Sequence, residues 1–145
     1  MLISNKQIER YSRQIVLKKI GIVGQKKLLK SKVLIVGAGG LGSPIALYLA
    51  ASGVGTVGVI DSDKVEISNL QRQILFSSKD LKKNKSVVAS IKLKQINPDI
   101  NIVNFKEKLT KNNINKIAKN FDVIADGSDN FKTRFVINDY CLKKK

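Results

Sequence analysis

The sequence predicts an α/β fold: a Rossmann-like, doubly wound, mostly parallel sheet with helices on both faces, preceded by short N-terminal helices. Three observations predict it. Lys32-Val33-Leu34-Ile35-Val36-Gly37 is an apolar, β-branched run closed by glycine, the pattern of a strand buried on both faces. Gly37-Ala38-Gly39-Gly40-Leu41-Gly42 follows at once and leads into helical spacing. Strand-like and helix-like segments then alternate to the end of the chain, which argues for an open sheet with crossover helices.

Residues 1–30 form an N-terminal helical segment, read as two short helices over 5–30 joined near Ile20-Gly21-Ile22. Residues 31–145 are expected to form the Rossmann-like domain. After the first strand, Leu41, Ile45 and Leu49 recur at every fourth position with Ala46 and Ala50 beside them, until Gly53 supplies a stop. Pro44 falls in the first turn, where a missing N–H costs nothing. Thr56 to Asp61 is a second strand, and a right-handed crossover makes it a parallel neighbour of the first. Lys85 to Asn97 is a helix with Ala89, Leu93 and Ile96 on one face, widened by Val87, Val88 and Ile91; Asn97-Pro98-Asp99 ends it. Ile100 to Phe105 is strand three, Asn112 to Asn120 a short helix, Phe121 to Ala125 strand four, and Asn130 to Leu142 a last helix. No internal repeat or linker interrupts the series.

Composition narrows the chemistry. The chain has 145 residues, 43% of them hydrophobic, enough for one domain with a core. It contains no histidine, so a Ser-His-Asp triad, a Cys-His pair and an imidazole base are excluded. A lone cysteine, Cys141, excludes an internal disulfide and a CxxC pair and suits a reducing compartment. The net charge of +16 comes from 27 Lys and Arg against 11 Asp and Glu. Only Arg10, Arg13, Arg72 and Arg134 are arginines, and aromatic content is 6%, so the charge reads as a solvated lysine surface rather than a nucleic-acid groove. No apolar run approaches the roughly 18 residues of a membrane span. A soluble, cytoplasmic protein with no nucleic-acid or membrane partner is expected.

Gly37, Gly39 and Gly42 fit GxGxxG between a strand and a helix, and Asp61 closes the next strand. Glycines permit a tight turn and close backbone approach, while the helix N-terminus offers N–H groups to phosphate. An acid at the end of the second strand suits ribose hydroxyls. This much fits NAD, FAD and ATP alike. The polar segment from Asp61 through Asp63, Ser68, Asn69 and Gln71 to Arg72 and Gln73 is richer than an ordinary connection. Lys85 opens the next helix, and Asp126-Gly127-Ser128-Asp129-Asn130 follows strand four, again at the carboxyl edge of the sheet. Cations to offset phosphate charge and an Asp suited to Mg²⁺, with nothing suited to hydride handling, point to phosphate transfer.

These stretches together resemble the ThiF/MoeB family of adenylyltransferases, relatives of the ubiquitin-activating enzymes. The resemblance runs through RYSRQI (10–15), VLIVGAGGLGSP (33–44), YLAASGVG (48–55), the D-x-D at 61–63, SNLQRQILF (68–76), Lys85, INPDI (96–100) and DGSDNFKTR (126–134). It implies ATP-dependent adenylylation of the C-terminal Gly-Gly carboxylate of a ubiquitin-like sulfur carrier protein, serving thiamine or molybdopterin synthesis, with release of pyrophosphate. Carried over by residue, Gly40 lines the nucleotide, Asp61 binds ribose, Asn69 and Arg72 reach the phosphates, Lys85 offsets charge at the α-phosphate, and Asp129 holds Mg²⁺ with Asn130 adjacent. Arg13 resembles an arginine that reaches the neighbouring subunit's phosphates, implying a homodimer. The family continues well beyond the length seen here, so the domain is expected to be incomplete at its C-terminus. No zinc is expected, and Cys141 is read as a buried packing residue. Two other readings stand beside this one: a truncated non-catalytic nucleotide-binding or dimerising module, and an NAD(P)-binding oxidoreductase fragment.

Overall fold

A computed structural model describes residues 2–144; Met1 and Lys145, the outermost positions of the two expected segments, lie outside the described residues. The chain opens with α1 (Asn5–Arg10), capped by Ser4, whose hydroxyl accepts from the Gln7 N–H while the Gln7 side chain accepts from the Ser4 N–H. A one-turn α2 (Ser12–Ile15) and α3 (Gly21–Lys30) follow. The N-terminal segment therefore holds three helices where the spacing suggests two. The extra break falls at Tyr11, whose side chain is drawn into the interior. Its hydroxyl accepts from the Asn97 amide at 2.9 Å. The expected joint at Gly21 is present, with φ at +56°, a value that favours glycine.

β1 (Lys32–Val36), β2 (Thr56–Ile60), β3 (Asn101–Phe105) and β4 (Val123–Asp126) form one parallel sheet in the order β3-β2-β1-β4. Alternation along the strands divides two cores. Val33, Ile35, Val57 and Val59 face α4 (Gly42–Ser52) and α5 (Lys85–Ile96), meeting Ala46, Ala50, Ala89 and Leu93. Leu34, Val36 and Ile60 face α6 (Ile114–Ala118) and α7 (Phe131–Lys143), meeting Ile114, Ile117, Val136 and Ile137. Helices thus cover both faces, as the alternation predicts. Each fully buried aliphatic side chain, such as Leu34 or Leu93, contributes about 2 kcal/mol.

Three packing expectations are corrected. Leu41 precedes α4 and is 61% exposed; the small residues Ala46 and Ala50 are what let α4 press against the sheet. Ile91 is 56% exposed because the buried face of α5 runs through Val88, Ala89 and Leu93, on the side away from it. Cys141 is exposed, since the last turn of α7 lines a shallow groove with Ala118, Phe121 and Tyr140 and no element packs over it. Strand four starts at Val123 rather than Phe121, whose ring packs edge-on against Phe105. No described helix is long and apolar enough to cross a membrane.

Candidate functional site

All four strands present their carboxyl ends to one edge, and the strand order reverses between β1 and β4, where open α/β sheets place ligands. Gly37 leaves β1 with φ at +85°. A Cβ on Gly42 would lie 1.8 Å from the Gly37 carbonyl oxygen, and one on Gly37 would lie 2.9 Å from that of Gly127. These three glycines therefore let the β1 loop, the start of α4 and the turn after β4 touch backbone to backbone. Gly39 and Gly40 differ: a Cβ there would meet only the Gln73 Nε2 at 3.7 Å or the Arg72 Cδ at 3.5 Å, both ordinary contacts. Steric need does not explain them.

Hydrogen bonding supplies a second distinction. The Gly37 N–H donates to Ile60, and the Ala38 N–H donates to Asp61 Oδ2 at 2.8 Å. Among the described residues, the N–H groups of Gly39, Gly40, Leu41 and Gly42 have no acceptor. Four adjacent donors at the N-terminus of an eleven-residue helix, with the helix dipole behind them, make an anion site.

The acids and cations around this loop are held by the segment between β2 and α5. Asp61 Oδ1 accepts from the Asp63 N–H at 2.8 Å, so both Asp61 oxygens brace the backbone while keeping lone pairs for a ligand. Burial pushes the Asp61 carboxyl above its ordinary value; the N–H groups of Ala38 and Asp63 and the nearby Lys85 charge pull against that shift. Lys85 is buried in the first turn of α5, with Nζ 3.8 Å from Asp63 Oδ2. Its position depends on Asn84, which was not picked out from the sequence: the Asn84 side chain caps α5 at the Val87 N–H and donates to the carbonyls of Asp61 and Asp63. An Asn just before an apolar-periodic run is an N-cap signal, so this residue could have been found.

Arg72 lies across Gly40 and donates from Nη1 to the Ser68 carbonyl at 3.2 Å. Asn69 ends a single 3-10 turn (Ile67–Asn69); its Oδ1 accepts from the Glu66 N–H and its carbonyl from the N–H groups of Arg72 and Gln73. Gln71 is exposed, and among the described residues no hydrogen bond ties its side chain down. On the β4 side, Ser128 donates twice to Asp126 Oδ1, and Arg134 from α7 donates to the Ser128 carbonyl at 3.1 Å. That turn places Asp129, exposed, beside the loop that Gly127 touches. The Asn130 oxygen is already engaged in capping α7 at Thr133.

Gly37, Gly39, Gly40, Gly42, Asp61, Asp63, Arg72 and Lys85 are thus gathered at one edge. Arg13 is not. It is exposed on α2, and its neighbour Gln14 donates to the Ser52 carbonyl at the far end of α4, about 15 Å along that helix from Gly42. A separate cavity of about 480 Å³ runs along β3 from the amino ends of β1 and β2, among Lys32, Thr56, Asn101, Phe105 and Phe121. Lys32 and Lys116 line it, but it has no counterpart of the row of adjacent N–H donors at the glycine loop.

Comparison with known proteins bears on the family and the fold. The family model described as ThiF family matches residues 11–145. The chain is 48% identical over 139 residues to the sulfur carrier protein ThiS adenylyltransferase of Escherichia coli, covering 96% of this chain and 55% of that protein. It is 45% identical over 140 residues to a probable molybdopterin-synthase adenylyltransferase of Porphyra purpurea, covering 97% of this chain and 37% of that one. Among solved structures, E. coli tRNA N6-threonylcarbamoyladenosine dehydratase in complex with ATP superposes with a TM-score of 0.93 at 25% identity, over 99% of this chain and 59% of its own. The chain spans about half or less of the length of these two curated relatives.

Proposed function

The chain belongs to the ThiF family, and from that premise we propose that it carries the nucleotide site of an ATP-dependent adenylyltransferase acting on the C-terminal Gly-Gly carboxylate of a ubiquitin-like sulfur carrier protein. The observation that carries this reading is the row of four acceptorless N–H groups over β1, flanked by Arg72 and Lys85 and backed by Asp61. The relatives, a sulfur carrier protein ThiS adenylyltransferase and a probable molybdopterin-synthase adenylyltransferase, support adenylyl transfer as the reaction class; a carrier that serves thiamine or molybdopterin synthesis is part of the proposal.

The chemistry fits a site without histidine. A C-terminal carboxylate, with a pKa of about 3.5, is ionised at neutral pH and needs no base. One of its oxygens attacks the α-phosphorus of ATP; the bond to the β-phosphate bridging oxygen breaks and pyrophosphate leaves, giving an acyl-adenylate. The barrier is the approach of an anion to a polyanion, which placed cations and in-line positioning lower. The loop N–H groups cradle phosphate oxygens, Lys85 and Arg72 offset charge that builds at the α-phosphate and the leaving group, and Asn69 presents its amide to the same chain. Asp61 and Asp63 orient the ribose side.

No group of three or more acids, Cys or His that could hold a metal occurs among the described residues. A single carboxylate fits Mg²⁺ that shares its ligands with ATP, the usual arrangement for this ion, and Asp129 is the residue that would hold it. Bound there, Mg²⁺ supplies charge neutralisation on the phosphates. Arg13, exposed and distant from its own chain's loop, is suited to reach the site of a second copy, and a homodimer is the assembly the proposal carries.

The test is ATP–pyrophosphate exchange with a Gly-Gly-ended carrier. Exchange that depends on the carrier, and vanishes when its last two glycines are removed, supports the proposal. Mg-ATP binding without exchange would leave a non-catalytic nucleotide-binding module, and NADH binding without ATP binding would overturn the reading.

A further inference from the structure

Gln73 is 4% exposed, and its Oε1 is the one buried side-chain polar atom without a partner among the described residues. Its Nε2 makes no hydrogen bond among the described residues, and lies 3.7 Å from where a Gly39 Cβ would stand. Its backbone is tied into the turn after the Ile67–Asn69 helix: its N–H donates to Asn69 and its carbonyl accepts from Phe76. Leu75 and Phe76, two and three residues further on, are buried in the apolar core, so an amide oxygen without a donor is out of place at this depth. A buried amide oxygen left without a donor costs roughly 1–3 kcal/mol.

We propose that Gln73 is a further binding residue of the nucleotide site, its carboxamide closing on the phosphate chain of ATP between the loop at Gly39 and the Arg72 side chain. This rests on the nucleotide reading given above. Arg72 and Gln73 are consecutive, and they stand against the consecutive glycines Gly40 and Gly39, so the guanidinium and the carboxamide form one wall of the anion site. A hydrated phosphate chain answers both ends of the amide: a non-bridging oxygen accepts from Nε2, and water bound to the phosphates donates to Oε1. Side-chain amides are neutral, so the contact adds direction to the attraction that Arg72 and Lys85 supply, and it favours a phosphate-bearing ligand over a bare nucleoside.

Calorimetry on the full chain with Mg-ATP and with adenosine, together with thermal melting of the ligand-free protein, tests this with Gln73→Met and Gln73→Glu. Gln73→Met is expected to melt at or above the parent temperature, bind Mg-ATP about tenfold more weakly and bind adenosine as the parent does. Gln73→Glu places a carboxylate against the phosphates and weakens Mg-ATP binding further, again sparing adenosine. If the parent binds no Mg-ATP, the nucleotide reading itself falls. If the parent binds Mg-ATP and both variants bind it equally well, the assignment of Gln73 alone falls. It falls as well if Gln73→Met melts lower than the parent, or both variants fail to fold, because the amide then serves the interior through a buried water.

Discussion

Between β1 and α4 the backbone is packed to its limit, whereas between β4 and α7 apolar side chains stand in solvent. A Cβ on Gly42 would lie 1.8 Å from the Gly37 oxygen, and the loop they enclose is braced by Asp61 at the Ala38 N–H. On the other side β4 is the edge of the sheet, Val123 is 54% exposed, and Phe131 and Phe135 project outward from α7. The contrast separates what shapes the anion site from what merely surrounds it. The loop is held by backbone contacts and one carboxylate, all within β1, α4, β2 and the turn after β4, and so does not depend on any cover over the outer face of α7.

The largest effect is expected at Gly42. Alanine there meets a carbonyl oxygen that belongs to the same braced loop and cannot retreat, so Gly42→Ala costs about 3 kcal/mol or more, lowering the melting temperature by about 10 °C. Gly39→Ala, with a neighbour at 3.7 Å, changes stability by less than about 0.5 kcal/mol while weakening Mg-ATP binding, because the methyl intrudes where phosphate approaches the backbone. Equal melting curves for Gly42→Ala and Gly39→Ala would erase the distinction between glycines that serve the fold and glycines that serve the ligand.

Next in size is the loss of charge at the site. Lys85→Ala and Arg72→Ala are each expected to slow carrier-dependent pyrophosphate exchange by on the order of 10²-fold, with little change in melting. Arg72 is exposed and Asp63, the ion-pair partner of Lys85, is mostly in solvent; Asp61 loses the nearby Lys85 charge but keeps the N–H groups of Ala38 and Asp63. Unchanged exchange in both variants would remove them from the chemistry.

Much of the braced region was legible before any coordinates. The continuous apolar run Val33 to Val36, the glycine spacing and the acid at the end of the next strand together require a strand, a tight turn and a helix in sequence, and all three are present. What periodicity could not supply was the reach of each neighbour. Leu41 and Ile91 sit on faces that apolar spacing marks as inward, yet one precedes the helix and the other points away from a sheet only four strands wide. Gln73 shows the converse: nothing in a polar run announces that one amide will be buried while the adjacent Arg72 stays in solvent. Arg13 was identified by resemblance alone, and its distance from the loop is a tertiary fact that local pattern does not carry.

A smaller effect lies in the segment that joins the braced strands to α5. Asp80 is buried beneath Lys92 of α5 and also accepts from the Ser77 N–H and hydroxyl at 2.8 Å. Burial acts to raise its carboxyl, but the bonds from Lys92 and Ser77 outweigh it and hold the pKa at about 2. A lowered pKa in the folded state means that the stabilisation is fully present above the ordinary carboxylate value and is lost as pH falls towards 2. Asp80→Asn is therefore expected to cost on the order of 1 kcal/mol at pH 7 and progressively less below pH 4. Parallel melting curves for parent and variant at pH 7 would show that the pair does not hold this segment.

The least disruptive change is on the open side. Phe135 is 64% exposed on α7, a helix whose buried face is carried by Val136 and Ile137. Phe135→Lys removes an apolar ring from solvent, keeps helix propensity and leaves both buried neighbours in place, so melting should move by no more than about 0.5 kcal/mol and solubility should rise. Mg-ATP affinity should not move at all, because the bracing of the loop passes through Gly37, Gly42 and Gly127 and not through the outer face of α7. A fall in nucleotide affinity in this variant would mean that the exposed face of α7 communicates with the Asp129 turn, which Arg134 of the same helix holds at the Ser128 carbonyl, and would break the separation between the two regions.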